Sequence, residues 1–369
     1  MDDCPHIFMP QTLYEQVADL ALVSPALGLL WQKDYAGEIC LEVDVERLAV
    51  CRAMISRPTV GPVTSQLLKD APRPFIIATL SKGLNHIEPS LQTDRQIRII
   101  APKDALGNGP AVAELTIWLA ISLLRWAHFG SSRVERGIFS PSEFIMARRL
   151  VGATWVTVGS GAQVAGLCPL IWAHGANHLI IYNPRMDQSH FSAAVANLTS
   201  AFGERFLAAN GKLNAVFPRP PGGFIIEGTQ DEQMAFRQAN ILSLHLSGEA
   251  RNYGYLNSDR LAWLRPDCIV VNMVRGELVD EQAVLAALKQ KRIGGYGADV
   301  LGSIVESTGN TCYSPLGAAA MAQRDSAVRV NEALNILLTP HIGGSTADAI
   351  DGIAQTVIPQ LLEELRVHL

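Results

Sequence analysis

Six cysteines (Cys4, Cys40, Cys51, Cys168, Cys268, Cys312) are scattered through 369 residues without a single CxxC pair. They read as reduced, mostly buried thiols in an intracellular protein. No His/Cys spacing supports a metal site, and no GxSxG elbow marks a serine hydrolase. Charge is scarce: 18% of residues are charged against 48% hydrophobic. That balance excludes a disordered chain and describes a well-buried globular one, long enough for two domains. The net charge of −5 argues against nucleic acid or an anionic membrane as partner. The opening MDDCPHIFMP is acidic and lacks the basic segment of a secretory signal, so a cytoplasmic location is expected. The most membrane-like stretch, Ala113 to Phe129, is short and carries Glu114 and Arg125. It reads as one buried helix, not a span. Repeats and low-complexity tracts are absent.

What is present concentrates in the last third. VNMVRGELVDE (Val271 to Glu281) follows an apolar run that stops at Asn272 and then presents Arg275 beside a glycine. GGYGADV (Gly294 to Val300) repeats the pattern with a carboxylate, Asp299. LLTPHIGGST (Leu337 to Thr346) repeats it again with His341. Buried strands that end by presenting functional groups are how open parallel α/β sheets build sites at their carboxyl edge.

Upstream, TWVTVGSGAQVAG (Thr154 to Gly166) is a β-branched strand, a glycine-rich turn and a helix, followed by the strand HLIIY (His178 to Tyr182). That is a βαβ unit of the right length for a dinucleotide. Gly159 permits the tight turn and Gly161 the approach of a pyrophosphate. The amides of Ala162, Gln163 and Val164 would cap the phosphates. The third glycine is out of step: the motif places it at Val164, and the chain has it at Gly166. The acid expected after the second strand is also missing. Asn183-Pro184-Arg185 stands there, which does not repel a ribose 2′-phosphate and offers a guanidinium to pair with one, so both NAD and NADP are permitted.

Near the start, FIIATL (Phe75 to Leu80) runs into SKGLNHIE (Ser81 to Glu88). Gly83 lets the backbone turn closely and leaves amides free for an anion, with Lys82 in the same turn. Arg57, at the end of another strand, is a candidate for the same site. Other expectations are local. Thr229 caps a helix reaching Asn240, and Asp280 caps one reaching about Gln290. FPRPPGG (Phe217 to Gly223) forms a loop, and His86 is a turn residue.

Taken in order, SKGLNHIE, AVAEL, VGSGAQVAG, LHL, VNMVRGELVDE, GGYGADV and TPHIGG resemble the D-isomer-specific 2-hydroxyacid dehydrogenases, spanning residues 81 to 344. Within that family, Lys82-Gly83 and GGYGADV look most like the phosphite (phosphonate) dehydrogenase branch. The resemblance implies an α/β protein of two Rossmann-like doubly wound domains with a cleft between them. Residues 1–107 plus 343–369 would bind substrate, and 108–342 would bind NAD or NADP. It implies that Arg275 binds the substrate carboxylate and polarises the carbonyl, that His341 is the general acid or base, and that Glu306 is the glutamate paired with it. Asp299 would hold the nicotinamide side. Val112, His245, Val274 and Gly343 would line the cofactor with Gly159, Gly161, Gln163, Val164, Asn183 and Arg185. Ser81, Lys82, Gly83 and Arg57 would receive a small anionic substrate. A homodimer built on Ala113 to Phe129 and residues 130–150 is also implied. Two departures stand out. Glu306 is two residues late relative to the family spacing and is followed by an Ala/Gly/Ser-rich insertion at 307–330 that reads as a loop over the cleft, and Ser247 stands where the family usually has proline after LHL. Two further readings of the same residues are oxidation of a phosphonate or phosphite-like anion with Lys82 as the extra cation, and a dinucleotide-sensing corepressor-like binding protein.

Overall fold

The computed structural model describes residues 6–9, 39–41, 45–57, 61–81, 83–84, 86–102, 108–202, 213–218, 223–302, 314–324 and 329–367. The chain divides into two compact units, Met1–Asn108 with Gly344–Leu369, and Gly109–Gly343. Both are α/β, and each is built on a Rossmann-like sheet.

The first unit has five parallel strands: β1 (His6–Met9), β2 (Ile39–Leu41), β3 (Cys51–Ser56), β4 (Phe75–Thr79) and β5 (Ile97–Ile100), in the order β2-β1-β3-β4-β5. Alternation decides what covers each face. Ile76 and Ala78 of β4 join Ala53 and Ile55 of β3 against Ile353, Val357 and Leu361 of the last helix, Ala347–Val367. Phe75 and Ile77 point the other way, onto Leu48, Leu68 and Leu91. A parallel sheet covered on both faces explains why these strands are apolar without a solvent stripe.

The second unit has eight strands: β6 (Thr154–Val158), β7 (His178–Tyr182), β8 (Leu213–Pro218), β9 (Gly223–Thr229), β10 (Ile241–Leu244), β11 (Ile269–Asn272), β12 (Gly295–Ala298) and β13 (Ile336–Leu338). Their order is β13-β12-β11-β10-β6-β7-β9-β8, and only the β8/β9 edge pair is antiparallel. The chain winds outward in both directions from β6. The topological switch point therefore lies where β6 meets β10, the place at which doubly wound sheets bind ligands. One face packs on the helix Asn108–Arg125 through Ile117, Leu119 and Leu123. The other packs on Ala235, Phe236, Val284 and Leu288 of two helices, Glu232–Gln238 and Glu281–Lys289.

Four expectations need correction. Ala113 to Phe129 is not one helix: it stops at Arg125, Trp126 takes a left-handed φ of 54°, and a second helix, Ala127–Glu135, leaves at 67°. Among the described residues no single helix is long and apolar enough to cross a membrane. Thr229 does not cap the helix after it. Thr229 ends β9, and Asp231 is the cap, accepting from the Met234 amide at 3.0 Å. An aspartate in that position contributes about 1 kcal/mol. FPRPPGG is not wholly a loop. Phe217 and Pro218 close β8 and pair with Phe224 and Gly223 of β9, because the two strands form an antiparallel edge ribbon. The insertion at 307–330 is not only loop either. Pro315–Arg324 is a helix with Leu316 fully buried against the core, capped by Ser314 through the Gly317 amide.

Candidate active site

The carboxyl ends of β6, β10, β11, β12 and β13 carry most of the expected residues of the second unit. At the end of β6, Gly159 has φ +113°. A Cβ there would lie 2.5 Å from the His245 carbonyl oxygen, at the end of the neighbouring strand β10. Glycine is required twice over, by backbone conformation and by closeness. Gly161 begins the helix Ala162–Ala173 in extended backbone, with no side chain capping it. The Val164 amide is not free for a phosphate, contrary to expectation: Val164 is fully buried and its N–H donates to the Gly161 carbonyl at 2.9 Å. The exposed first-turn residue Ala162 and half-buried Gln163 remain, at the end of the helix that favours anions. This uncapped helix start behind a glycine turn fits a dinucleotide pyrophosphate.

His245 is held from both sides. Its Nε2 lies 2.9 Å from Ser243 Oγ and its Nδ1 3.4 Å from Gln163 Oε1. Burial pushes its pKa down to about 4. At the end of β7, Asn183 donates from Nδ2 to Ser160 Oγ at 2.8 Å, while its Oδ1 accepts the Arg185 amide at 2.8 Å. The residue standing where an acid was expected is thus tied into the glycine turn. Arg185 is exposed.

Arg275 follows β11 and is half-buried. Its Nη1 donates to the Val274 carbonyl at 2.7 Å. The loop that carries it is stapled by Asn272, a fully buried residue that the sequence reading passed over. Its Oδ1 accepts the Val274 amide at 3.1 Å and its Nδ2 donates to the Arg275 carbonyl at 2.8 Å. The polar residue that ends an apolar run was the available signal. Gly276 sits directly on the backbone of the segment after β12: a Cβ would fall 1.9 Å from the Leu301 carbonyl carbon. Gly302 in turn donates its amide to the buried carboxylate of Glu281 at 2.8 Å.

Asp299 ends β12 and is 3% exposed. It accepts from the Thr339 hydroxyl at 2.5 Å and from the Ile342 and Gly343 amides at 2.9 and 2.7 Å. His341, after β13, is exposed and adopts a left-handed φ of 57°. Val112 and Gly343 meet here too, since a Cβ at Gly343 would lie 3.5 Å from Val112 Cγ2 and 2.9 Å from Asp299 Oδ2. Three adjacent strands therefore end in Arg275, Asp299 and His341.

In the first unit, Ser81, Gly83 and Leu84 follow β4, and His86 lies in a turn, as expected, but is buried. It is 8% exposed, with Nε2 3.3 Å from Ser56 Oγ and 3.2 Å from Thr79 Oγ1. Arg57 donates to Ser345 Oγ at 2.9 Å, and burial lowers its pKa. Lys82 and Glu306 lie outside the described residues. No group of three or more His, Cys, Asp or Glu among the described residues could hold a metal ion.

A doubly wound sheet with a glycine turn at its switch point is a frame that suits a dinucleotide. Comparison with known proteins narrows this. Residues 191–343 match the NAD-binding domain of the D-isomer specific 2-hydroxyacid dehydrogenases. A 2-hydroxyacid dehydrogenase homolog of Haemophilus influenzae is 26% identical over 286 residues, 78% of this chain and 74% of that protein. The D-lactate dehydrogenase of Escherichia coli is 24% identical over 302 residues, 81% of this chain and 78% of that protein. In structure, the apo form of the E. coli D-lactate dehydrogenase matches with a TM-score of 0.68 at 19% identity, covering 97% of each chain. The pyruvate reductase of Chlamydomonas reinhardtii matches at 0.71 and 16% identity, covering 98% of this chain and 96% of that one. The chain is thus similar to the D-isomer specific 2-hydroxyacid dehydrogenases, and is an oxidoreductase of that likeness.

Proposed function

We propose that the protein interconverts a small 2-oxo acid and its 2-hydroxy acid, with Arg275 binding the carboxylate and polarising the carbonyl and His341 exchanging the proton. The observation that supports this most is the delivery of Arg275, Asp299 and His341 by β11, β12 and β13, neighbours in one parallel sheet. The nicotinamide cofactor, when bound, supplies or takes the hydride. The chain's own residues do the rest. Reduction of a carbonyl builds negative charge on its oxygen, so a guanidinium and a proton donor aimed there stabilise the transition state more than the ground state. Glu306 is the proposed partner of His341. In the first unit, the backbone of Ser81 and Gly83, with Lys82 and Arg57, is proposed to bind an anion. The pyrophosphate is assigned to Gly159, Gly161 and Gln163, and the nicotinamide side to Val112, His245, Val274 and Gly343. Asn183 and Arg185 are assigned a preference for NADP, because no carboxylate stands at the end of β7 and the Arg185 side chain is exposed.

The test is a panel of 2-oxo acids, 2-hydroxy acids and phosphite run with NAD(H) and NADP(H). Turnover of at least one 2-oxo acid, lost by about a hundredfold or more in Arg275→Ala and in His341→Asn, is the expected result. Turnover of phosphite alone, abolished by Lys82→Ala, would replace this reading with phosphite oxidation.

The protein is further proposed to be a homodimer. The supporting observation is a run of exposed apolar side chains on Ala127–Glu135 and the segment after it: Val134, Phe139 at 91% exposure and Ile145 at 89%. Apolar side chains this exposed mark an association surface.

A further inference from the structure

We infer that Asp299 is a positioning residue for His341, acting by clamping the loop that carries the imidazole; this rests on the reading of His341 as the proton donor and acceptor. Expectation had given Asp299 to the cofactor alone. The hydrogen bonds it makes run to the loop that carries His341.

The clamp has three jaws, and they bracket His341 in sequence. Thr339, two residues before it, donates its hydroxyl to Asp299 Oδ1 at 2.5 Å. Ile342, the next residue, donates its amide to the same oxygen at 2.9 Å. Gly343 donates its amide to Oδ2 at 2.7 Å. A carboxylate oxygen has two lone pairs, so Oδ1 is saturated by these donors. The main chain anchors both partners as well. The Thr339 amide donates to the Ala298 carbonyl at 2.9 Å, and the Asp299 amide to the Asn272 carbonyl at 3.1 Å. Asp299 is thereby fixed to β11 and His341's loop is fixed to Asp299.

The loop needs such a clamp. His341 has φ +57°, a left-handed conformation that an L side chain rarely adopts, and its amide bonds back to the Thr339 carbonyl at 3.0 Å. A backbone held in a sparsely populated region persists only where its surroundings over-determine it. The clamp supplies that determination without touching the ring. It leaves the imidazole exposed while fixing the direction of its Cα–Cβ bond. Gly343 is part of the same device. A Cβ there would sit 2.9 Å from Asp299 Oδ2, in the space the carboxylate occupies.

Asparagine at 299 cannot reproduce this. Its amide nitrogen would face either the Ile342 or the Gly343 N–H, and one backbone donor would lose its acceptor. A residue that positions the acid–base group alters kcat, whereas a cofactor ligand alters cofactor affinity.

The experiment uses the full chain with Asp299→Asn, Thr339→Val, Thr339→Ser and His341→Asn. It measures kcat on the 2-oxo acid the wild type turns over fastest, the dissociation constant of the reduced nucleotide by fluorescence titration, and amide exchange at Ile342 and Gly343 in the nucleotide-free protein. Asp299→Asn should lower kcat about a hundredfold and leave the dissociation constant within about twofold. Thr339→Val should lower kcat about tenfold and speed exchange at both amides, and Thr339→Ser, which keeps the hydroxyl, should restore both. The threonine pair leaves the carboxylate in place, so the test stands even where Asp299→Asn fails to fold. Wild-type kcat in Thr339→Val, unchanged exchange, or a tenfold loss of nucleotide affinity with kcat intact in Asp299→Asn would overturn the clamp. His341→Asn separates the two readings: its full activity would remove His341 from the chemistry, whereas its inactivity beside an unaffected Thr339→Val removes only the clamp.

Discussion

Asn183 donates its side-chain amide to Ser160 Oγ across the glycine turn, 2.8 Å away. Its oxygen is already committed to the Arg185 amide, also at 2.8 Å. Both ends of the side chain are therefore spent on holding the end of β7 to the turn after β6. A carboxylate at 183 could still accept from Ser160, because a hydroxyl rotates to donate, but it would add charge beside the ribose site. Asn183→Asp is expected to shift kcat/KM from NADPH towards NADH by roughly tenfold. Arg185→Ala is expected to raise the KM for NADPH and leave that for NADH unchanged. Steady-state kinetics with both nucleotides checks the pair.

Gly276 decides whether Arg275 and the segment after β12 can pass each other. A Cβ at 276 would lie 1.9 Å from the Leu301 carbonyl carbon and 2.1 Å from the Gly302 nitrogen, atoms of the backbone that cannot swing aside. Gly276→Ala is expected to destabilise the protein by roughly 2–4 kcal/mol and to reduce turnover through displacement of Arg275. Urea unfolding measures the first effect, and kcat of the remaining folded enzyme the second.

Three histidines resist protonation in the folded state. Burial lowers the pKa of His86 and pushes His128 and His245 to about 4. The unfolded chain takes up these protons near pH 6.5, before the folded one does. Stability is therefore fully present above about pH 6.5 and falls as pH drops towards 4. The melting temperature should be level above neutrality and decline steadily across that window. His128 supplies the control. Among the described residues neither ring nitrogen has a hydrogen-bond partner, and the ring lies 4.6 Å from Phe129. His128→Phe keeps the ring packing and removes the titration, so its melting temperature should fall less between pH 6.5 and 4.5.

Phe139 and Ile145 are 91% and 89% exposed. Sedimentation velocity is expected to give twice the monomer mass for the wild type. The double variant Phe139→Asp, Ile145→Asp should shift it to the monomer. A wild-type monomer at micromolar concentration would dispose of the proposed dimer.

The parallel strands were legible because both faces of each sheet are buried, so β4, β6, β7 and β11 read as apolar or β-branched runs. The cap at Asp280 was legible for the same kind of reason: an N-cap is a local bond, here to the Ala283 amide three residues on. The neighbouring cap was misassigned by two residues, since Thr229 and Asp231 are both good caps and only the end of β9 chooses between them. The break at Trp126 left no proline or glycine in the sequence to mark it. The residues of the opening triad came from motif, yet the atoms that hold them did not. Asn272, Ser160, Thr339 and Glu281 were missed because their roles depend on partners brought close only by folding.

By itself the amino-acid order determined the α/β class, the glycine turn after β6 and the three strand ends that present Arg275, Asp299 and His341. Each of these is written in local periodicity and in residues adjacent along the chain. Tertiary structure alone decided how those groups are held. Asp299 binds Thr339, Ile342 and Gly343 some forty residues on, Asn183 reaches back to Ser160, and Gly276 lies against Leu301. Strand pairing in a doubly wound sheet joins segments distant in sequence, and no local pattern records which side chain will meet which across that distance.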